Sequence, residues 1–370
     1  MEKQPIQLPV YAKMAQVILG LVALFYVLYI GKDIIVPLIL ALLLAILLNP
    51  VVNFLDNHKI NRTVSILLAI LAAFILLAAL LFFVGSQLAR FSDSLPLFKQ
   101  KFNELSQQLL QWISQTFNYP PDKINEWVAK TRKEVMSQSN SVIGQTLGTL
   151  SGMLGVFLLL PVYIFLFLYY KTLLLTFIAQ LFQNAPSKTV TEVLAQIKSL
   201  IQSYLVGLLT EAAIVAAMNT AGLLVIGVQY AVVLGIIGAI LNLIPYIGGL
   251  IATALPMLIA ITTQDASAAL WVLVLFLVVQ FLDNNLIVPK IVGSKVKVNA
   301  LISIVVVLVG GALWGISGMF LSIPLIAILK VIFDRIDPLK PFGYLIGDDQ
   351  PTVMKSLRRG QRKNPKVTAH

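Results

Sequence analysis

The sequence predicts an all-α polytopic membrane protein with about six full spans, two re-entrant or broken helical hairpins and an extracytoplasmic helical hairpin domain. Three observations carry this reading. Of 370 residues, 58% are hydrophobic and only 12% charged, about half the charge of a typical soluble domain. The apolar residues fall in long continuous runs, which selects helices over the alternating strands of a closed barrel. Two of those runs are interrupted at their centres by glycine and proline, around Pro245 and around Gly315. No cysteine is present, so disulfides, iron–sulfur clusters and thiolate zinc sites are excluded. The net charge of +11 is explained by a membrane surface, because much of the excess lies in the C-terminal tail; no nucleic acid partner is expected.

Taken in order, residues 14–30 follow Lys3 and Lys13 and precede no small-residue cleavage pattern, so they read as an uncleaved first span. Residues 34–55 return, with Asn49-Pro50 near the end, and residues 63–85 form a third span. This is an N-terminal unit of residues 1–85. Residues 86–143 are polar, with Phe91, Leu95, Phe98, Phe102, Leu105, Leu109 and Trp112 spaced by alternating fours and threes. That spacing predicts a coiled-coil-like seam in an extracytoplasmic amphipathic hairpin, turned at Pro120-Pro121. The seam packs either within the chain or on a neighbouring subunit. Residues 144–203 comprise a fourth span, 147–170, and an amphipathic interfacial helix, 171–203. Gly144, Gly148 and Gly152 line one face at the start of this span.

Residues 204–333 are expected to form a transport domain, and residues 334–370 a basic cytoplasmic tail. The domain opens with a fifth span, 204–226, carrying Glu211 and Asn219. The broken stretch 230–261 follows, interrupted by Asn242, Pro245, Gly248 and Gly249. Each of its arms rises about 20 Å, too short for a hydrocarbon core of about 30 Å. Unpaired backbone at that depth survives only inside protein or beside a water-filled cavity, which makes a broken helix a pointer to a transport site. The alternative is a kinked spanning helix with no solute beside it. A further span, 268–288, ends in Gln280, Asp283 and Asn284, which share one helix face at i, i+3 and i+4; Pro289-Lys290 is expected to end that helix. A second broken stretch, 300–333, is interrupted by Gly310, Gly311, Gly315, Gly318 and Pro324.

Loop charge orients the chain. With the N-terminus in the cytoplasm, Lys59, Arg62, Lys171, Lys188 and Lys198 lie inside. If both broken stretches are re-entrant, Lys290, Lys295, Lys297 and the tail lie inside as well, so both termini are cytoplasmic. An ionisable group inside a membrane costs about 3 kcal/mol at a helix centre, which makes Glu211 and Asp283 functional candidates. Their structural alternatives are a protonated, hydrogen-bonded acid for Glu211 and a solvated interfacial carboxylate for Asp283. Enzyme readings find no support: neither His58 nor His370 belongs to an HExxH motif, and no Walker A loop or cofactor fingerprint is present. No cofactor and no metal site are expected.

The segments NLIPYIGGLIATALP and DNNLIVPKIVGSKVKVNALISIVVVLVGGALWGISGMFLSIPL resemble the autoinducer-2 exporter (AI-2E) family of permease-like bacterial proteins. The resemblance covers nearly the whole chain, including LLLAILLNPVV and the polar hairpin. It implies a multi-pass inner-membrane protein exporting autoinducer-2 or another small solute, or exchanging sodium or lithium for protons. It further implies hairpins that move as an elevator and a pentameric homo-oligomer. The site residues it implies are Pro245, Tyr246, Gly248, Gly249, Pro289, Gly311, Gly315, Gly318 and Pro324. Glu211 departs from the neutral polar residue expected there in many relatives. The expectation is therefore a secondary transporter, with the lipid bilayer and a small polar solute as partners and proton or sodium coupling through Glu211 or Asp283. A non-transporting membrane scaffold is the alternative of another class.

Overall fold

The computed structural model describes residues 9–117, 158–182, 187–244, 248–293 and 297–348. Regular structure among them is helical throughout, apart from one isolated bridge between Val298 and Gly347. The chain is an all-α polytopic protein. Its first helices are α1 (Val10–Ile30), α2 (Lys32–Asn57) and α3 (Arg62–Phe117). Next come α4 (Leu158–Tyr169) and α5 (Lys171–Leu181), bent by 65° at Tyr170. Then follow α6 (Ser187–Ile226), α7 (Ala231–Asn242), α8 (Gly248–Thr263) and α9 (Ala266–Leu282). Two π-helical turns, Asp283–Ile287 and Pro289–Gly293, extend α9. The C-terminal part holds α10 (Ala300–Phe333) and α11 (Lys340–Ile346).

Three boundaries differ from the sequence reading. The third apolar span is found at Arg62–Gln87, close to its expected bounds, but its helix does not stop there: α3 continues to Phe117 as one 56-residue helix. A lone Gly85 costs only about 1 kcal/mol and breaks nothing without a partner. The second half of the expected polar hairpin lies outside the described residues, and so do Gly144, Gly148 and Gly152 at the start of the expected fourth span. The expected interfacial helix 171–203 is divided: α5 takes its start, and α6 runs unbroken into the fifth span. Residues 187–226 contain no proline and only the isolated glycines Gly207 and Gly222, so no residue there stops a helix. Finally, Pro289 does not end its helix. The wider π turns let the ladder skip a donor, so the missing N–H and the bulk of the proline ring are absorbed and the helix continues to Gly293.

Both broken stretches fold back on themselves. At the base of the first, Gln264 Nε2 donates to the Gly227 carbonyl at 2.7 Å; midway, Gly238 faces Ala252. At its tip, Gly248 N–H donates to the Ile244 carbonyl at 3.1 Å, so α7 and α8 lie antiparallel. Their 12 and 16 residues are arms of about 18 and 24 Å. By length and hydropathy α10 counts among five helices of the described residues able to cross a membrane, or six with the bent α4–α5 pair. Its hydrogen bonds show that it is not one straight rod. Ser322 Oγ donates to the Val306 carbonyl at 2.8 Å, although sixteen residues of straight helix would separate them by about 24 Å. The reversal is at Gly315, with φ 62° and ψ −142°, a conformation that a side chain would strain.

The two hairpins have their bases at opposite ends of α9. The first base adjoins Asp265, whose carboxylate caps α9 by accepting from Ala268 N–H at 2.8 Å. The second base adjoins Asn299. That side chain accepts from Ile302 N–H at 3.0 Å and donates to the Leu345 carbonyl at 2.7 Å, tying the start of α10 to α11. Trp314 Nε1, beside the reversal, donates to the Leu28 carbonyl of α1 at 2.9 Å. One apolar cluster joins the first hairpin to α6 and α9 through Leu223, Val233, Ala252, Val272 and Phe276. Another joins the second hairpin to α2 and α6 through Leu43, Tyr204, Leu321 and Ala327. Large apolar side chains cover the outside of α1 and the first part of α3, as hydrocarbon contact requires.

Candidate functional site

The tip of the first hairpin meets α6 and the end of α9 at a narrow, partly open recess. Its polar wall is Asn219, Asn242, Gln280 and Asp283; Val215, Phe276 and Val279 form much of the apolar wall. Spacing explains the convergence. Glu211, Val215 and Asn219 recur every four residues and are all buried, so one face of α6 looks inward. Gln280 and Asp283 are one turn apart where α9 opens into its first π turn, a distortion frequent at functional sites. Glycine supplies the close approach: a methyl at Gly249 would stand 2.9 Å from Gln280 Oε1.

The hydrogen bonds leave two gaps. Asn242 Nδ2 donates to Asp283 Oδ2 at 2.8 Å, linking the hairpin tip to α9. Gln280 Nε2 donates to Asn284 Oδ1 at 3.2 Å. The second oxygen of Asp283 and the amide oxygen of Asn219 are buried and accept from no group among the described residues. Both side chains are only 2% exposed. Glu211, 5% exposed, is near enough to Asp283 for the two carboxyls to interact.

Of the residues singled out from sequence, Asn219, Asn242, Gly249, Gln280 and Asp283 meet at this recess, and Glu211 lies behind it. Gly248 packs at the neck of the tip against the Leu241 backbone; Pro245 and Tyr246 lie outside the described residues. Asn284 and Pro289 are exposed and do not line the recess. Gly311, Gly315 and Gly318 belong to the second hairpin, which contributes no lining residue. Sequence reasoning missed the apolar wall and Gly238. The Gly235/Gly238 spacing in α7 was a usable signal for close helix approach. Phe276 has none, since it is one apolar residue among many in α9.

Residues 18–337 match the family described as AI-2E family transporter. The chain belongs to that family. It is 27% identical over 249 residues to YrrI of Bacillus subtilis, covering 66% of this chain and 69% of the relative. It is 36% identical over 112 residues to YueF of the same organism, covering 30% of each chain. A third relative is PerM of Escherichia coli, 26% identical over 213 residues, covering 56% of this chain and 60% of the relative. The first two carry provisional names as transport proteins and the third as a permease. Together with its apolar helices, membership makes this AI-2E chain a multi-pass membrane protein of a transport family, and a transporter family is not a family of enzymes.

Proposed function

We propose that this AI-2E protein is a secondary transporter exporting a small polar solute across the bacterial inner membrane, with the recess at the first hairpin tip as its solute site. One observation carries the reading: two residues that line the recess, Asn219 and Asp283, each hold a buried acceptor oxygen with no partner among the described residues. An unmade buried hydrogen bond costs about 1–3 kcal/mol, and a solute bearing hydroxyl or amino donors would recover it. The hairpins then move together against a homo-oligomeric frame, pentameric as in the resemblance, and open the recess to each side in turn. Gly248 and Gly249 belong to the moving hairpin in this reading, while Gly311, Gly315 and Gly318 hold the second hairpin folded.

A second reading, exchange of sodium or lithium for protons, is favoured by the nearness of Glu211 to Asp283. Solute flux in proteoliposomes, with and without proton or sodium gradients, separates the two. Export of a neutral polyol-like solute is expected to depend on Asn219 and Asp283. Under the antiport reading, Glu211→Gln flattens the pH dependence of cation flux while solute binding persists; an unchanged pH profile ends that reading. No flux under any gradient would leave the protein as a scaffold.

The proposed orientation has both termini in the cytoplasm and the hairpins entering from opposite faces. It is tested by single cysteines in the cysteine-free chain. Lys290→Cys is expected to react only from the cytoplasmic side and Gln229→Cys only from the other. Labelling of both from one side would remove the crossing assigned to α9.

A further inference from the structure

Where α2 stops, α3 starts and α4 bends into α5, the bundle carries cations that the transport site does not use. Lys171 opens α5, directly after the bend, and its Nζ donates to Asn49 Oδ1 at 3.0 Å. Arg62 opens α3 and reaches the same bend, its Nη2 donating to the Leu168 carbonyl at 3.0 Å. Lys198 of α6 is near enough to Lys171 for their charges to repel. The ion pairs found among the described residues involve none of the three. Among the described residues Asp56 is the carboxylate whose charge reaches Lys171, and its own buried Oδ1 has no partner there.

Asn49 is an independent sign of a ligand. It is 5% exposed, and because Lys171 holds its Oδ1, the amide's orientation is set. Nδ2 is left as a buried donor with no acceptor among the described residues, and an unmade buried hydrogen bond costs about 1–3 kcal/mol. The setting suggests what that is. Tyr169 and Tyr170, both 47% exposed, meet edge to face at 5.0 Å beside the bend, as aromatic residues do at a membrane interface. Beyond the bend, α5 buries none of its residues, and Leu173 and Phe177 are 61% and 58% exposed, as in a helix lying on acyl chains.

We propose that Asn49, Arg62, Lys171 and Lys198 form a binding site for the phosphate of an anionic phospholipid headgroup, with the apolar face of α5 against its acyl chains. The phosphate oxygens accept from the two lysines, from Arg62 and from the free Nδ2 of Asn49. Hydroxyls on a glycerol headgroup suit the unpartnered oxygen of Asp56. Burial, followed by the neighbouring charges of Lys198 and Arg62, holds the Lys171 ammonium below its ordinary pKa, with Asp56 opposing; a bound anion relieves that crowding. Free phosphate shares this chemistry, and the exposed face of α5 favours the lipid.

The test is native mass spectrometry of the detergent-purified protein exposed to phosphatidylglycerol, to phosphatidylcholine, or to inorganic phosphate. Phosphatidylglycerol is expected to be retained in preference to phosphatidylcholine. Arg62→Gln with Lys171→Gln is expected to lower its retention about a hundredfold, roughly tenfold for each of two charge-assisted contacts. Lys198→Gln, which disturbs no hydrogen bond among the described residues, is expected to lower it several-fold, and Lys340→Gln, in α11, to leave it unchanged. Equal retention of phosphatidylglycerol by the wild type, the double variant and Lys198→Gln would overturn the site, as would equal retention of phosphatidylcholine. Displacement of the lipid by millimolar inorganic phosphate would overturn the lipid assignment in favour of the free anion.

Discussion

Asp283→Asn is expected to reduce solute flux by about a hundredfold while the protein remains folded. The asparagine keeps one oxygen to accept from Asn242 Nδ2, so the 2.8 Å link between hairpin tip and α9 survives. Its other atom becomes an NH₂ group where an unpartnered acceptor now stands. A solute donor would then meet a donor, which forfeits the hydrogen bond and leaves a second buried group unmade, about 1–3 kcal/mol each. Asp283→Ala removes the acceptor of Asn242 as well, so stability should fall together with flux. Proteoliposome flux with thermal unfolding in detergent distinguishes the two. Asp283→Asn with wild-type flux would sink the recess as the solute site, whereas Asp283→Ala with wild-type stability would show that the Asn242 link is dispensable.

Gly310→Val is the second large effect, and it acts on the fold. Gly310 faces Gly318 across the second hairpin, and a Cβ there would run into the Gly318 carbonyl and Ser322 Oγ. Backbone cannot withdraw as a flexible side chain can, so the arms must separate. Overpacking of this kind costs about 1–3 kcal/mol or more, and opening the arms also breaks the Ser322–Val306 hydrogen bond. The expected outcome is loss of the monodisperse, heat-stable protein in gel filtration. Gly20→Val and Gly85→Val are the controls, because a Cβ at either meets nothing within 4 Å. Gly315→Ala should cost about 1–3 kcal/mol for a different reason, the positive φ of the reversal rather than contact. If Gly310→Val unfolds no more readily than Gly20→Val, the packed hairpin is wrong.

Much of this architecture was legible in the residues, though unevenly. Hydropathy identified the apolar helices, and the glycine and proline pairs marked where two of them reverse, because neither residue supports an uninterrupted helix. Intramembrane polar residues flagged Glu211, Asn219, Gln280 and Asp283, since burying such groups is costly without a reason. The expectation that a proline ends a helix misjudged Pro289, where π turns absorbed a proline that an α-helix would not. The resemblance grouped Gly311, Gly315 and Gly318 with the site, and in the structure Gly318 packs backbone to backbone against Gly310, a role with the same local signature as solute approach.

The sequence by itself determined the all-α class, the existence of two interruptions and the placing of Glu211 and Asn219 on one span. These follow from composition and from a period of 3.6 residues, which are properties of single segments. Only the tertiary structure decided that Asn242 reaches Asp283, forty-one residues away. It alone left one oxygen each on Asn219 and Asp283 without a partner among the described residues, and it alone placed the recess at one hairpin rather than two. Hydrogen-bond satisfaction is a property of the whole packed bundle: a donor is free or taken according to which helices meet, and no local pattern encodes that meeting.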